Sequence, residues 1–145
     1  MDETVRRVLI AGASGVIGTA AIEHFAGLPG WEVIALSRRA PVVAQGIRFD
    51  HVAVDLSDPA CCAGLVAGLP PVTHLIYAAV AEAPGLAAGW RDEALMAVNG
   101  AMFANILAPL ARSGTLQHVS ILQGRQSLWR PFPLRQRTAA RDRTA

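Results

Sequence analysis

The sequence predicts an α/β fold with a doubly wound parallel sheet. Across residues 1–124, apolar runs alternate with helical patterns, which is typical of consecutive βαβ units. The first apolar run leads directly into glycines spaced three apart. The chain has 145 residues, of which 52% are hydrophobic, enough to build the core of one domain.

Five strands are predicted from the apolar runs. The first is apolar over most of its length, as expected of a strand buried on both faces of a parallel sheet. The second begins after Leu28-Pro29-Gly30, and the fourth after Pro70-Pro71, both of which are strong turn signals. The predicted strands lie at about Val5–Ala11, Trp31–Leu36, Arg48–Val54, Val72–Ala78 and Leu116–Leu122.

Three helices are predicted between these strands. The first follows Gly15 and carries apolar residues at helical spacing. Ser57-Asp58-Pro59 marks the start of the second, with a capping side chain and a proline in the first turn, and this helix ends near Gly68. The third extends from about Trp90 to Arg112.

Right-handed crossovers on both sides of the first strand predict the strand order 3-2-1-4-5. In such sheets the ligand crevice lies at the carboxyl ends of the strands, where the order reverses. The loops after strands one, two and four should therefore meet at one site.

The chain is predicted to have two parts with opposite charge. Residues 1–124, the predicted domain, contain seven arginines and ten acidic residues, whereas residues 125–145 contain six arginines and one acid, Asp142. This arginine-rich tail has no helical or strand periodicity and is predicted to be irregular. Its arginines have no ordered scaffold, so we expect no nucleic-acid partner.

Neither a membrane span nor a signal peptide is expected. No uninterrupted apolar run approaches the ~18 residues needed to cross a bilayer. The acidic start, Met1-Asp2-Glu3, argues against a cleaved signal peptide, which favours a cytoplasmic protein. The oligomeric state cannot be inferred from this sequence.

The glycine turn after the first strand predicts a dinucleotide-binding site of the Rossmann type. Gly12 and Gly15 let backbone amides approach a pyrophosphate, and Gly18 lets the next helix pack closely on the strand. The helix N-terminus directs its free N–H groups toward the phosphates. The alternative is a common glycine-rich turn in an alanine-rich chain. The predicted contacts are Gly12, Ser14, Gly15, Val16, Ile17 and Gly18.

The end of the second strand predicts which cofactor is preferred. In dinucleotide folds an acidic residue at this position binds the ribose hydroxyl, whereas an arginine neutralises a 2′-phosphate. Here the residues are Ser37, Arg38 and Arg39, which favours NADP, with NAD as the alternative and Arg38 as the first choice for the phosphate. Two solvated arginines in an exposed loop would look the same.

Further cofactor contacts are predicted after strands three and four. Asp55 could bind the adenine amino group with Leu56 against the ring, or Asp55 could cap a helix. Tyr77, Ala78 and Ala79 end strand four opposite the glycine turn and should form a wall for the cofactor, Tyr77 without acting as a proton donor.

Other polar residues give weaker signals. Asn99 lies inside a helix, where its side chain is expected to reach a neighbouring backbone and brace strand four. Ser120 and Gln123 could face a substrate or satisfy local backbone groups. No metal site is predicted, because the four histidines lack the spacing of metal ligands. The adjacent Cys61 and Cys62 are expected to be small buried residues on a helix.

These motifs together resemble the extended and atypical short-chain dehydrogenase/reductases, which are often described as NAD-dependent epimerase/dehydratase-like. The resemblance covers residues 5–124. Within this superfamily, the sequence looks most like bacterial relatives of the progesterone 5β-reductase and iridoid synthase group. It implies an NADPH-dependent oxidoreductase that transfers hydride to an enone C=C or a carbonyl of a small-molecule substrate. It rests on the glycine turn, the arginine pair, Val54-Asp55-Leu56, residues 73–79, residues 87–91 and residues 116–124.

The sequence departs from this group after residue 124. Relatives continue with a stretch like Gly-Thr-Lys-Ala-Tyr-Gly-Val-His, whose lysine is catalytic, and supply a catalytic tyrosine later. This sequence has Gln126 at the lysine position, no lysine anywhere and Tyr77 as its single tyrosine. The resemblance therefore implies that this chain is inactive, with no catalytic residue, and that its sheet is incomplete at the C-terminal edge.

A frameshift is our hypothesis for this departure. Codons for Gln126 to Pro131 can be written so that a start one nucleotide later gives Lys-Ala-Tyr-Gly-Ala-His. The alternative is a divergent tail. Two other functions stay open, namely a non-catalytic NAD(P)-binding sensor module and a fragment of an NAD-dependent sugar-nucleotide epimerase or dehydratase.

Overall fold

The structure, a computed structural model, describes residues 5–82 and 93–122. Within these ranges five parallel strands form one sheet in the order β3-β2-β1-β4-β5, which confirms the predicted fold class and strand order. The strands are β1 (Arg6–Ala11), β2 (Trp31–Ser37), β3 (Asp50–Ala53), β4 (His74–Tyr77) and β5 (His118–Ile121). The helices are α1 (Val16–Ala26), α2 (Pro59–Gly68) and α3 (Glu93–Arg112).

The strands β3, β4 and β5 are shorter than the sequence predicts. Each contains four residues, whereas the apolar runs that predict them contain seven. Among the described residues, β3 and β5 are the two edges of the sheet, and each pairs with one neighbour through four residue pairs. Next to β3 and β4, the buried residues Val54 and Val72 lie just outside the ladder that defines the strand, whereas Ile121 and Leu122 at the end of the β5 run are exposed.

The core has a separate cluster on each face of the sheet. The larger cluster joins Leu9, Leu36 and Leu75 of the sheet to α2 and α3, through Cys62 and Ile106 among others. The smaller cluster lies under α1. It consists of the buried residues Val8, Ile10, Ala13, Ile22, Val33, Ala35 and Ile76. Helices therefore cover both faces, as a doubly wound sheet requires.

The start of α2 follows its predicted sequence signal. Asp58 is the N-cap, and its Oδ1 accepts hydrogen bonds from the backbone N–H groups of Ala60 at 3.0 Å and Cys61 at 3.1 Å. These bonds satisfy two of the amides that a helix leaves without intrahelical partners. Because Asp58 is the cap, Asp55 is not.

The helix α3 is long and apolar enough, by length and composition, to cross a membrane. One such helix is weak evidence, since a core helix passes the same test. Here Ile106 and Leu110 of α3 are buried in the core, and Asn105 Nδ2 donates to the carbonyl of Leu56 at 2.9 Å. The helix is thus packed into the domain along one side.

Candidate functional site

The glycine turn between β1 and α1 is held between the ends of β2 and β4. The backbone N–H groups of Gly12 and Ala13 both donate to the carbonyl of Leu36, at 3.0 and 3.1 Å. The N–H of Ala78 donates to the carbonyl of Ala11 at 2.9 Å. The loops after β1, β2 and β4 therefore meet at the carboxyl edge of the sheet, as the predicted strand order requires.

Two glycines of this turn are required by the fold itself. Gly12 has a φ of +82°, and a Cβ there would lie 2.5 Å from the backbone N of Ala79. A Cβ on Gly18 would lie 2.1 Å from the carbonyl oxygen of Gly12. Both contacts are with backbone, which cannot move aside without disturbing the turn. The backbone can approach this closely only because both residues are glycine.

The third glycine meets no such restriction. A Cβ on Gly15 would have one neighbour within 4 Å, the carbonyl oxygen of Gly12 at 3.5 Å, which is ordinary contact. Gly15 is the N-cap of α1, and its φ of −80° is available to any residue. The protein around Gly15 therefore leaves open space at the N-terminus of a helix.

The N-terminus of α1 has the properties of an anion site. No side chain from the described residues caps it, and its first turn carries no acidic residue. Its amides and the positive end of the helix dipole are therefore left without a negative partner from the described chain. Two apolar side chains stand at the same place: Val16 is 88% exposed and Ile17 is 51% exposed. Such exposure next to free amides fits a ligand that carries both phosphates and an apolar ring.

The residues Ser37, Arg38 and Arg39, here called the arginine turn, leave β2 beside the glycine turn. Both arginines are exposed. Arg38 lies close enough to Asp55 to help lower the pKa of that carboxyl group, although bonds from Ser57 contribute more. A cation thus stands at the strand end where a dinucleotide fold places the adenosine ribose.

Ser37 contributes to the arginine turn in a way that the sequence does not reveal. Its hydroxyl lies 2.5 Å from the carbonyl oxygen of Arg39 and 3.1 Å from Nε2 of His51 on β3. The side chain is buried, and both contacts are within the protein. The structure thus places Ser37 under the turn, where it shapes the backbone that carries the two arginines.

The segment after β3 positions Asp55 and Leu56 differently. Asp55 is exposed, and its Oδ1 accepts from the N–H of Ser57 at 3.0 Å and from its hydroxyl at 2.6 Å. These hydrogen bonds, above all that from the hydroxyl, lower the pKa of Asp55. Leu56 is only 6% exposed and lies in the core cluster under α2 and α3. Asp55 is therefore an exposed carboxylate turned toward Ser57, while Leu56 offers little surface to a ring.

The end of β4 offers backbone to the site. The Tyr77 side chain is fully buried, and its ring packs edge-on against Phe103 of α3 with centroids 4.9 Å apart. Its hydroxyl has no hydrogen-bond partner among the residues that the structure describes. Burial raises the pKa of Tyr77 to about 12. Tyr77 is thus unsuited to donate a proton in the crevice, and Ala78 and Ala79 supply the wall beside Gly12.

Two asparagines of α3 hold the loops of this edge. Asn99 is buried, its Oδ1 accepts from the N–H of Ala81 at 2.7 Å, and its Nδ2 donates to the carbonyls of Ala81 and Leu95 at 3.1 Å each. The expectation that its side chain reaches a neighbouring backbone is confirmed, and the backbone lies just beyond β4. Asn105, whose Nδ2 donates to the carbonyl of Leu56, was missed, although an asparagine inside a helix is the same signal that marks Asn99.

The remaining predicted residues lie elsewhere or outside the described chain. The Ser120 hydroxyl lies 2.9 Å from Nε2 of His118, two residues earlier on β5. Gln123 and Gln126 are outside the described residues. Cys62 is buried as expected, but Cys61 is exposed, because its thiol points to Oδ2 of Asp58 at 3.1 Å rather than into the core. No group of three or more metal-ligating side chains occurs in residues 5–82 and 93–122.

A cavity of about 460 Å³ lies at the other end of the strands, next to the residues that precede β4 and β5. It is formed by the C-terminal ends of α2 and α3, and its lining is mostly apolar, with Val66, Leu69, Pro70, Pro109 and Leu110 among its residues. Neither the glycine turn nor the arginine turn contributes to it. The residues that fit a dinucleotide therefore lie away from this cavity, at the carboxyl ends of the strands.

A family model supports the interpretation of the carboxyl edge. Residues 8–121 match the NAD dependent epimerase/dehydratase family. This range includes the glycine turn, the arginine turn and the loop after β4. No curated protein matches the chain.

Solved structures share the fold at low sequence identity. A short chain dehydrogenase family protein from Francisella tularensis subsp. tularensis SCHU S4 is 14% identical with a TM-score of 0.67, and the match covers 90% of this chain and 55% of that protein. Bordetella bronchiseptica WbmG in complex with NAD is 18% identical with a TM-score of 0.58, covering 81% and 37%. A UDP-glucose 4-epimerase is 16% identical with a TM-score of 0.60, covering 76% and 33%.

Each of these proteins is longer than this chain. This chain spans about half or less of each, so it corresponds to the part that contains the parallel sheet. The glycine turn, the uncapped helix N-terminus and the strand order agree with the family match over residues 8–121. The chain therefore belongs to the NAD dependent epimerase/dehydratase family, and its parallel sheet shares the fold of these solved structures.

Proposed function

We propose that this domain is the NADP-binding part of a short-chain dehydrogenase/reductase-like oxidoreductase. The observation that carries the proposal is the position of the arginine turn. Leu36, the residue before it, accepts two hydrogen bonds from the glycine turn. One bound dinucleotide could therefore place its pyrophosphate at Gly12–Gly18 and its adenosine ribose beside Arg38.

The charge at this position favours NADP over NAD. A guanidinium group matches a phosphate in charge and in the geometry of its donors. Arg38 and Arg39 are both exposed and follow β2 directly, and no acidic residue occupies positions 37–39 to bind a free ribose hydroxyl. Arg38 also acts on the carboxylate of Asp55, whose pKa is lowered mainly by hydrogen bonds from Ser57 and further by the charge of Arg38. Asp55 in turn is placed to orient Arg38 or to meet the adenine edge.

The chain's own residues bind and orient the cofactor. When bound, the nicotinamide supplies a hydride for an activated C=C or C=O. The backbone of Gly12–Gly18 would hold the pyrophosphate, and Val16, Ile17, Ala78 and Ala79 would flank the nicotinamide half. The resemblance to the progesterone 5β-reductase and iridoid synthase group supports an enone or carbonyl compound as the substrate class.

We further propose that the chain as it stands does not turn over substrate. The sequence contains no lysine, and its single tyrosine, Tyr77, is buried in the core with a pKa raised to about 12. No tyrosine and lysine pair can therefore stabilise the charge that develops on a substrate oxygen. We place the domain in the cytoplasm, with no membrane or nucleic-acid partner.

The same observations favour a second function, a non-catalytic module that senses NADP. A glycine turn shaped to accept a dinucleotide, in a sequence that contains no lysine, is compatible with such a module. Both functions predict NADP binding without turnover. They differ in whether supplying the rest of a relative's chain restores hydride transfer, which the oxidoreductase proposal predicts and the sensor proposal does not.

Isothermal titration calorimetry with NADP and NAD tests the proposal. We expect NADP to bind at least about tenfold more tightly than NAD, since charged hydrogen bonds to the 2′-phosphate contribute on the order of 1.5–3 kcal/mol. NAD binding as tight as NADP binding would contradict the role of the arginine turn. A chain that binds neither cofactor while folded would contradict the proposal as a whole.

A further inference from the structure

A hydrogen-bonded relay connects β3 to the arginine turn. His51 Nε2 lies 3.1 Å from the Ser37 hydroxyl and 3.3 Å from the Ser37 carbonyl oxygen. The Ser37 hydroxyl in turn lies 2.5 Å from the carbonyl oxygen of Arg39. His51 of β3 and Ser37 of β2 are thus joined to the backbone of Arg39, which follows β2.

The chemistry of the groups fixes the direction of the relay. A carbonyl oxygen only accepts, so the single hydroxyl proton of Ser37 must be donated to Arg39. The hydroxyl oxygen then accepts from His51, whose Nε2 must carry a hydrogen. The same N–H also points toward the Ser37 carbonyl. His51 is therefore the donor at the start of the relay, and Arg39 is its end.

The relay lies where water has limited access to its hydrogen bonds. Ser37 is buried, with 7% of its surface exposed, and His51 is half-buried on β3, where it pairs with Ala35 of β2. Hydrogen bonds with limited water access are stronger and hold their geometry better than exposed ones. The carbonyl of Ser37 also accepts from the N–H of Val54 at 3.3 Å. The turn that carries Arg38 is thus fixed at residues 37 and 39, on both sides of it.

We propose that His51 is a positioning residue that sets the preference for a 2′-phosphorylated dinucleotide. The inference rests on the proposed function. His51 acts through Ser37 and the Arg39 backbone, and it orders the arginine turn before the cofactor arrives. Without the relay, the arginines keep their charge, but the turn must become ordered when the phosphate binds. The entropy cost of this ordering weakens NADP binding. NAD has no 2′-phosphate, so its binding does not depend on an ordered arginine turn.

The test compares binding of NADP and NAD by variants at both ends of the relay. His51→Phe removes the donor, His51→Gln keeps an N–H donor on a side chain of similar reach, and Ser37→Ala breaks the relay in the middle. We expect His51→Phe and Ser37→Ala each to weaken NADP binding by about three- to tenfold, with NAD binding changed by less than about twofold. The double variant should be no weaker than either single variant, because both remove the same relay.

Two variants serve as controls. His51→Gln should restore most of the NADP affinity, which a requirement for ring packing alone would not allow. His118→Phe removes a histidine that also lies beside a serine hydroxyl, on β5, the outer strand on the opposite side of the sheet from β3. It should leave both affinities unchanged. Circular dichroism establishes that each variant is folded, and Ser37→Ala tests the relay independently if His51→Phe does not fold.

The outcomes separate this inference from the proposed function. If the wild-type chain prefers NADP but His51→Phe and Ser37→Ala retain that preference, or lose both cofactors equally, His51 is not a positioning residue while the NADP proposal stands. If the wild-type chain shows no preference for NADP, the proposed cofactor is wrong and the inference falls with it.

Discussion

The glycine turn and the arginine turn border the same crevice, but they are built in different ways. Backbone contacts determine the first: a Cβ on Gly18 would come within 2.1 Å of the Gly12 carbonyl oxygen. Side-chain hydrogen bonds determine the second, through Ser37 and His51. In the glycine turn, we therefore expect folding and cofactor binding to depend on the same atoms. In the arginine turn, ligand preference can change while the fold is kept.

The largest effect should come from Gly18→Ala. The added Cβ meets the backbone of Gly12 and Ala13, which has no flexible end that could move aside. We expect the free energy of unfolding to fall by about 3 kcal/mol, at the upper end of the usual cost of overpacking, and binding of both cofactors to be lost. Denaturant unfolding and calorimetry measure the two effects.

Gly64→Ala is the matched control for this substitution. Gly64 lies inside α2, and a Cβ there would meet nothing within 4 Å. Because glycine is unfavourable inside a helix, this variant should be more stable by about 0.5–1 kcal/mol and bind normally. A Gly18→Ala variant as stable as the wild type would show that the glycine turn is not determined by backbone contact.

The next largest effect should come from Arg38→Ala. Removing the guanidinium should weaken NADP binding by about tenfold to a hundredfold and leave NAD binding and the free energy of unfolding nearly unchanged. Calorimetry with both cofactors measures this. Arg112→Ala removes an arginine from the cavity at the other end of the strands and should change neither affinity. Equal loss of NADP and NAD would mean that Arg38 supports the fold rather than the phosphate.

Gly15→Ala should separate binding from folding within the glycine turn. The new methyl group meets no protein atom closer than 3.5 Å, so stability should change by less than about 0.5 kcal/mol. The methyl group adds bulk at the N-cap of α1, where the pyrophosphate is proposed to bind, so we expect both cofactors to bind about tenfold more weakly. Unchanged binding in a folded Gly15→Ala variant would place the pyrophosphate elsewhere.

The smallest effect on binding should come from Tyr77→Phe. This variant removes a buried hydroxyl that has no partner among the described residues, and the backbone wall of the site remains. NADP and NAD affinities should therefore be unchanged. A loss of cofactor affinity would show that the Tyr77 side chain takes part in the site.

Tyr77 also predicts a dependence of stability on pH. Burial raises the pKa of Tyr77 in the folded chain to about 12, whereas the unfolded chain should titrate near the ordinary value of about 10. Below pH ~10 both states keep the proton and this contribution is fully present. As the pH rises from about 10 to about 12, the unfolded state releases its proton first, so stability falls. Unfolding measured over this range should show a weaker decline in Tyr77→Phe, and equal declines would contradict the assigned pKa.

The fold and the backbone part of the site could be predicted from the sequence. Apolar runs, Pro-Gly turns and the glycine spacing determine the order of elements, and the Asp58 cap marks the start of α2. These signals are local. Gly12 and Gly18 could be recognised because a backbone restriction leaves glycine as the residue that fits.

The side-chain part of the site depends on contacts between distant residues. His51 reaches Ser37 only because β3 pairs with β2 in the register that sets His51 beside Ala35. Asn105 reaches Leu56 across 49 positions of the sequence. No motif marks these residues, since each becomes important only after the strands and helices have assembled. Similarly, the direction of the Leu56 side chain follows from the packing of α2 and α3 on the sheet.

Backbone amide chemical shifts during titration with NADP test the central claim most directly. We expect the amides of Gly12–Gly18 and of Ser37–Arg39 to shift, and those around the opposite cavity, such as Leu69 and Leu110, to stay unchanged. NAD should shift the glycine turn but leave Arg38 and Arg39 nearly unmoved. Shifts centred on Leu69 and Leu110, or none in the glycine turn at saturating NADP, would contradict a dinucleotide site at the carboxyl edge of this sheet.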